Sequence, residues 1–292
     1  MRPHEDRLRT WLANLDTEAM VTRVMGAIGA VERDAVRARV ETFANEALTG
    51  LALLEPVLAK DPGRLLEIGS GGGFLARYLR AEGFDVTGVE PSSEAGFSFM
   101  RALDEAVAAQ THVALPVFAI GADALDPEVH GRFDLIYSVN VLEHILDLDA
   151  AFDAMASALA PAGRMLHACP NYRVPYEPHL AMPLVPGLPR ATRTVFARHV
   201  ERHRDLWDGL NFVTAGRLGR LAKRHGLRAR FRTGVMASSF ERLRHDALFR
   251  QRHAGALASV ANAPALATVV STVLRAVPAT WQSPMIVDVE SR

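Results

Sequence analysis

The sequence predicts an α/β fold in which a parallel sheet is covered by helices on both faces. Residues 1–61 show only helical periodicity, as in the spacing of Val21, Val24 and Ile28. From Arg64 onward, short apolar runs alternate with helical patterns. Strands that alternate with helices along a chain pair in parallel and are buried on both faces. We therefore expect a helical cap over residues 1–61 and a sheet domain over residues 62–292.

The elements of the sheet domain follow from local patterns. Apolar residues recur at helical spacing after Asp147, in a stripe that ends at Leu159, and Pro161 ends the predicted helix. Thr214 is a suitable N-cap for a second helix that stops at Gly226. Seven segments have the composition of strands, namely 64–68, 84–90, 116–120, 133–138, 163–169, 228–235 and 283–290.

Composition excludes several classes of protein. Hydrophobic residues make up 49% and charged residues 23% of the 292 residues, which is the range of ordinary globular proteins. The single cysteine, Cys169, cannot form an internal disulfide, and the N-terminal residues lack a secretory signal pattern. We therefore expect a cytoplasmic location. Thirty-three basic residues balance thirty-three acidic ones, so a surface built for nucleic acid is not expected.

The charge is nevertheless uneven along the chain. Residues 189–253 contain sixteen Lys or Arg and five Asp or Glu, and residues 254–274 contain no charge. Asn262 and Pro264 make the uncharged stretch a poor membrane span. A basic segment beside an uncharged one is compatible with peripheral contact to an anionic membrane. Packing of the uncharged stretch inside the protein or against a second subunit is the alternative.

The sharpest motif is the glycine-rich turn from Glu67 to Gly73, which joins a predicted strand to a predicted helix. Glycine allows a tight turn and a close approach of a ligand, and a helix N-terminus offers unpaired N–H groups to an anion. The next strand ends at Glu90, where a carboxylate can accept hydrogen bonds from a ribose. These features indicate a ligand of the adenosine type. The Gly71-x-Gly73-x-x-Ala76 spacing also fits a dinucleotide, so NAD(P) remains an alternative.

Four segments together carry a more specific resemblance. They are the E-x-G-x-G-x-G pattern from Glu67 to Gly73, the Glu90–Pro91 pair, the Asp123-Ala124-Leu125 turn, and FDLIYSVNVLEHI at 133–145. Together they resemble the class I S-adenosylmethionine-dependent methyltransferases. The resemblance implies a Rossmann-like, doubly wound sheet of seven strands, mostly parallel, with an antiparallel last strand. Between the last two strands we expect an insertion of mostly helical character at about residues 236–282.

The resemblance implies roles for individual residues. The turn, with Glu67, Gly69, Ser70, Gly71 and Gly73, would hold the methionine part of S-adenosylmethionine. Glu90 and Pro91 would bind the ribose, and Asp123 and Ala124 the adenine. Asn140 and Leu142 would line the cofactor from the end of the fourth strand.

Glu143 and His144 are the predicted catalytic residues. In a subgroup of quinone O-methyltransferases the corresponding segment reads E-x-x-E-H and binds a divalent metal, but this sequence has Asn140 in place of the first Glu. One carboxylate and one imidazole are a poor cage for a hard cation, so we expect no metal. His144 is a candidate general base. The alternative is that the two residues only shape the next helix.

The segment 170–212 is expected to border the acceptor. Its candidate contacts are Asn171, Tyr172, Tyr176 and His179, in a loop stiffened by prolines; a purely structural loop is the alternative. The predicted activity is methyl transfer from S-adenosylmethionine to an organic acceptor, with an oxygen of a small molecule or of a glycan- or lipid-linked substrate preferred. Two alternatives stay open: an NAD(P)-dependent oxidoreductase, and a catalytically silent protein of the same fold that still binds the cofactor.

Overall fold

The computed structural model describes residues 3–29, 32–58, 62–91, 98–185, 187–245 and 263–291. Its helices are α1 (Pro3–Ala13), α2 (Thr17–Ile28), α3 (Arg33–Leu58), α4 (Phe74–Ala81), α5 (Ser98–Thr111), α6 (Pro127–His130), α7 (Leu148–Ser157), α8 (Pro189–Val195), α9 (Ala197–Arg202), α10 (Arg204–Asp208), α11 (Ala215–Arg224), α12 (Val235–His245) and α13 (Pro264–Ala276). Its strands are β1 (Arg64–Ile68), β2 (Asp85–Val89), β3 (Val117–Phe118), β4 (Phe133–Val139), β5 (Leu159–Cys169), β6 (Tyr176–Glu177), β7 (Met182–Pro183), β8 (Leu227–Phe231) and β9 (Met285–Ser291).

The main sheet has seven strands in the order β3-β2-β1-β4-β5-β9-β8. The first five strands in this order pair in parallel, whereas β9 is antiparallel to both β5 and β8. The predicted fold class is therefore confirmed, including the antiparallel last strand. Strands β6 and β7 form a separate two-stranded hairpin after β5.

Each face of the sheet is covered by its own hydrophobic cluster. One cluster joins α1–α5 to the sheet through fully buried side chains such as Leu54 and Leu79. The other joins α7 and α11 to the opposite face through Phe152 and Leu218. Because helices cover both faces of the sheet, a ligand is expected at the carboxyl ends of the parallel strands.

Side-chain caps position two helices next to the carboxyl ends of the strands. The Asp147 side chain accepts a hydrogen bond from the Ala150 amide at 3.0 Å, and α7 begins at the next residue. The predicted cap Thr214 accepts a hydrogen bond from the Arg217 amide at 3.3 Å at the start of α11. Each cap satisfies an N–H group that the helix itself leaves unpaired.

Two predicted boundaries are wrong. Leu159 was expected in the apolar stripe of α7, but it begins β5 and pairs with Phe133. The helix ends at Ser157, and the carbonyl of the next residue, Ala158, accepts a hydrogen bond from the Phe133 amide beside the start of β5. The strand expected at 228–235 ends at Phe231, and Gly234, with a φ of 72°, precedes α12.

The described part of the uncharged stretch forms most of α13, which packs on α12 through Ala267, Phe240 and Leu243. Residues 246–262, which include the rest of that stretch and the end of the basic segment, lie outside the described residues. Three apolar side chains of α13, Leu266, Val269 and Val273, are exposed. In the described part of the chain no helix has the length and apolar character needed to cross a bilayer. Contact with a membrane surface stays a prediction.

Candidate active site

The glycine-rich turn lies between β1 and α4 and has the backbone that its glycines predict. Gly69, Gly71 and Gly73 have φ values of 69°, 52° and 69°, a region that side chains disfavour. A Cβ added at Gly69 would lie 2.6 Å from a methyl carbon of Val141. The amides of Gly69 and Ser70 donate to the Val89 carbonyl at 2.8 and 3.1 Å. The turn is thus held against the end of the neighbouring strand β2.

Glu90 follows β2 and closes this turn from the other side. It is 6% exposed, and its Oε2 accepts a hydrogen bond from the Gly71 amide at 2.8 Å. Burial raises the pKa of Glu90 above its usual range, although the Gly71 hydrogen bond opposes the shift. The structure therefore brings together the residue predicted to bind ribose and the turn predicted to hold the methionine part.

Glu67 lies near the end of β1, next to Tyr137 of β4 in the sheet register. Burial raises its pKa to about 8, and the neighbouring Tyr137 hydroxyl opposes the shift. Its Oε2 is buried without a hydrogen-bond partner among the described residues. A neutral carboxyl with an unused oxygen is suited to receive a cationic or hydrogen-bonding ligand group.

Three of the remaining predicted cofactor residues are open to solvent to some degree, and one is not. Asp123 and Ala124 are exposed on a 3₁₀ turn that follows β3, and Pro91 is half-buried beside Glu90. The side chain of Leu142 is fully buried in the core on the α7 face. Only the backbone of Leu142 is left to border a ligand.

Asn140 connects the end of β4 to the helical cap. Its φ is 53°, and its Nδ2 donates to Oε1 of Glu46 on α3 at 2.9 Å. Asparagine tolerates this left-handed backbone better than most residues. Glu46 was missed by the sequence analysis, since an acidic residue within a long helix gives no signal of its own.

Glu143 lies in a 3₁₀ turn directly after β4 and is fully buried. Neither of its carboxylate oxygens has a hydrogen-bond partner among the described residues. The turn is held by Asn211, whose Nδ2 donates to the carbonyls of Leu142 and Ile145 at 2.6 and 2.7 Å. Asn211 is a second positioning residue without a sequence signal.

His179 reaches the same place from the loop after β6. Its Nε2 lies 3.8 Å from Oε1 of Glu143, and its ring centroid lies 5.1 Å from that of His144. Its Nδ1 hydrogen-bonds Oε1 of the fully buried Glu177 at 2.6 Å. Ligand atoms of Glu143, His144 and His179 all lie within 4.8 Å of one another, so these three residues could hold a metal ion. We call them the acceptor-side cluster.

Burial and charge shift the pKa values of this cluster in different directions. Burial raises the pKa of Glu143 to about 8. Burial, and then the charge of His179, lower the pKa of His144 to about 4, which makes this residue a weaker base than the sequence suggests. Burial opposes protonation of His179, but the hydrogen bond to Glu177 and the charges of nearby carboxylates together outweigh it and raise the pKa.

Two of the four predicted acceptor contacts, Asn171 and Tyr172, are buried in the structure. Asn171 is fully buried, and its side chain donates to the carbonyls of Thr280 and Gln282 at 3.0 Å and accepts from the amides of Arg173 and Ala215. Tyr172 is 4% exposed and its hydroxyl donates to Glu177 at 3.2 Å. Both side chains stabilise the loop. Tyr176 is 46% exposed and His179 belongs to the cluster, so these two remain able to meet an acceptor.

Comparison with known proteins gives the family of this chain. A family model described as a methyltransferase domain matches residues 38–230. An uncharacterized protein of Mycobacterium tuberculosis is 35% identical over 202 residues, which cover 65% of this chain and 66% of that protein. A ubiquinone biosynthesis O-methyltransferase of Nitrobacter winogradskyi is 30% identical over 177 residues, which cover 61% of each chain. The chain thus spans slightly less than two thirds of the length of these relatives.

Among solved structures, phosphoethanolamine N-methyltransferase 2 of Haemonchus contortus in complex with S-adenosyl-L-methionine has a TM-score of 0.49 and 17% identity. The similarity covers 83% of this chain and 52% of that chain. The seven-stranded sheet with its antiparallel last strand is the fold that the resemblance to class I S-adenosylmethionine-dependent methyltransferases implies. The chain belongs to the methyltransferase domain family, which favours this class over the oxidoreductase alternative.

Proposed function

We propose that this chain binds S-adenosylmethionine across the carboxyl ends of β1, β2 and β4 and transfers its methyl group to an oxygen of an organic acceptor. The observation that carries the proposal is the Glu90–Gly71 hydrogen bond of 2.8 Å. It joins a buried carboxylate at the end of β2 to a glycine turn that begins a helix. Ribose hydroxyls and an amino-acid group are the ligand parts that these two features suit.

The buried Glu67 supports the same ligand. S-adenosylmethionine carries an ammonium group and a sulfonium centre, and a buried carboxyl with an unused oxygen gains a partner when a cation approaches. The N–H groups at the start of α4 and in the turn suit the carboxylate of the same amino-acid part. Asp123 and Ala124 stand exposed after β3, where the adenine would lie.

The reaction needs alignment more than covalent help. A lone pair of the acceptor oxygen forms the new O–C bond, and the C–S bond breaks with its electron pair returning to sulfur. The sulfonium becomes the neutral thioether of S-adenosylhomocysteine, and the hydroxyl proton is released. Holding oxygen, methyl carbon and sulfur in line supplies a large part of the rate enhancement, so the protein's main task is to position two ligands.

The acceptor-side cluster supports transfer to a polar acceptor group. Glu143 and His144 follow Asn140 at the same edge of the sheet as the glycine turn, because β4 lies beside β1. The exposed Tyr176 offers an aromatic face close in sequence to His179. An oxygen acceptor is also what the name of the Nitrobacter relative indicates for that protein. A small molecule and a glycan- or lipid-linked substrate both fit this reading.

Calorimetric titration tests the proposal. S-adenosylmethionine, S-adenosylhomocysteine and NADPH are titrated into the wild type, Glu90→Ala and the exposed control Glu105→Ala. We expect both sulfur ligands to bind the wild type and the control, and to lose most of their affinity in Glu90→Ala. Binding of NADPH alone, or of none of the three, would contradict the proposal. A following screen of hydroxylated acceptors with labelled methyl donor separates turnover from a catalytically silent binding protein.

A further inference from the structure

The acceptor-side cluster brings together three potential metal ligands, which methyl transfer alone does not require. Two imidazoles and one carboxylate converge from two separate segments, with their ligand atoms within 4.8 Å of one another. We propose that Glu143, His144 and His179 bind a divalent transition-metal ion, with Zn²⁺ as the best fit. The sequence predicted no metal because only Glu143 and His144 are adjacent in the chain.

The buried carboxylate is the first argument. Glu143 is fully buried, and neither oxygen accepts a hydrogen bond from the described residues. An unpaired polar group of this kind is costly to bury. The nearest basic atom, Nε2 of His179, stands 3.8 Å from Oε1, too far for a hydrogen bond. Oxygen and nitrogen ligands about 2.1 Å from a tetrahedral Zn²⁺ stand about 3.4 Å apart, so a small shift places the ion between them.

The orientation of His179 is the second argument. Glu177 holds Nδ1 at 2.6 Å, which leaves Nε2 directed to Glu143. Glu177 itself is fully buried and is fixed by the Tyr172 hydroxyl at 3.2 Å and by the Leu180 amide. A carboxylate that binds the second nitrogen of a metal-ligating histidine is the common support of such ligands, because it fixes the tautomer and the ring plane.

The rigidity of the other two ligands is the third argument. Asn211 bonds the carbonyls on either side of Glu143 and His144, at Leu142 and Ile145, and its own amide donates to the Glu143 carbonyl at 2.9 Å. These bonds hold the backbone that carries both ligands in place before an ion arrives. Preorganised ligands lose little conformational freedom on binding.

The donor set selects the class of ion. Two imidazole nitrogens and one carboxylate oxygen suit Zn²⁺ and related ions, whereas Mg²⁺ and Ca²⁺ prefer oxygen ligands throughout. Three protein ligands also leave a coordination position open. An ion there would polarise an acceptor hydroxyl and favour its deprotonation, a role that rests on the proposed function, whereas the binding itself does not.

Metal binding is measured on the full chain after treatment with a chelator. Zn²⁺, Mn²⁺ and Mg²⁺ are titrated separately by calorimetry, bound metal is counted by elemental analysis, and the visible spectrum of the Co²⁺-loaded protein reports on the ligands. We expect one Zn²⁺ per chain, at least tenfold weaker binding in His179→Gln and Glu143→Gln, and an altered Co²⁺ spectrum in both. Mg²⁺ is expected to bind far more weakly.

The chain offers a matched control. His199 and His203 form a second histidine pair, with ring centroids 5.1 Å apart, so His203→Gln tests whether zinc binds there instead. Affinity for S-adenosylmethionine and circular dichroism show that each variant is folded and that cofactor binding is independent of the metal. No bound Zn²⁺ in the wild type, loss of zinc in His203→Gln alone, or a preference for Mg²⁺ would each overturn the proposal.

Discussion

The carboxylate of Glu90 accepts a hydrogen bond from the amide of Gly71, nineteen residues earlier in the chain, at 2.8 Å. One side chain thus links the end of β2 to the turn between β1 and α4. The same turn is already held by the Val89 carbonyl, which accepts from Gly69 and Ser70. The two halves of the proposed cofactor site are therefore joined before any ligand is bound.

The hydrogen bond between Glu90 and Gly71 predicts that two substitutions of Glu90 have different effects on cofactor affinity and on stability. Glu90→Gln keeps an oxygen for the Gly71 amide but removes the charge, whereas Glu90→Ala removes both. Hydrogen bonds to charged groups contribute about 1.5–3 kcal/mol, so we expect the affinity for S-adenosylmethionine to fall about tenfold or more in Glu90→Gln and further in Glu90→Ala. Only Glu90→Ala should lower the unfolding temperature markedly. Calorimetry and thermal unfolding measure the two effects, and equal affinities in wild type and Glu90→Ala would contradict the ribose assignment.

The raised pKa of Glu67 predicts that binding of S-adenosylmethionine is coupled to proton release. Burial raises its pKa to about 8, so in the free protein this carboxyl is mostly neutral at pH 7. A cationic ligand beside it favours the ionised form and lowers the pKa. Binding of S-adenosylmethionine should then release a proton, and the affinity should increase from pH 7 toward pH 8. Calorimetry at pH 7 in buffers of different ionisation enthalpy counts the protons. Glu67→Gln should bind with less release, and an unchanged count would show that another group titrates.

The backbone conformation of Asn140 predicts that its alanine and glycine variants differ in stability. Its left-handed φ of 53° suits glycine, and its side chain bonds Glu46 at 2.9 Å. Asn140→Gly loses only the hydrogen bond, whereas Asn140→Ala loses the bond and strains the backbone. We expect Asn140→Ala to be less stable than Asn140→Gly by about 1 kcal/mol in urea unfolding. An alanine variant as stable as the glycine variant would show that the turn relaxes without cost.

The local features of the site could be predicted from the sequence, and the long-range ones could not. The positions of the turn glycines and of Glu90 are determined by the residues next to them in the sequence. They therefore follow from the strand–turn–helix pattern. Glu143 and His179 come from separate segments, and their approach to 3.8 Å depends on how the loop after β6 packs. The burial of Asn171 could not be predicted for the same reason. Its side-chain amide donates to the carbonyls of Thr280 and Gln282, which are more than 100 positions away in the chain.

His167 predicts how stability depends on pH. It is fully buried on β5, its Nδ1 lies 2.8 Å from the Ser138 hydroxyl, and burial lowers its pKa to about 4. In the unfolded chain the pKa is near 6.5, so between these values the unfolded state binds the extra proton. Its contribution is present above pH 6.5 and is lost as the pH falls toward 4, by up to about 3 kcal/mol.

Urea unfolding of wild type, His167→Gln and the exposed control His112→Gln at pH 7, 6 and 5 measures this loss. Glu67 and Glu143, whose pKa values are raised, act in the opposite sense, because their protonated forms favour the folded state as the pH falls from 8. The difference between wild type and His167→Gln removes that shared background. We expect the wild type to lose more stability between pH 7 and 5 than His167→Gln, and as much as His112→Gln. Equal losses in all three proteins would mean that His167 is protonated inside the fold.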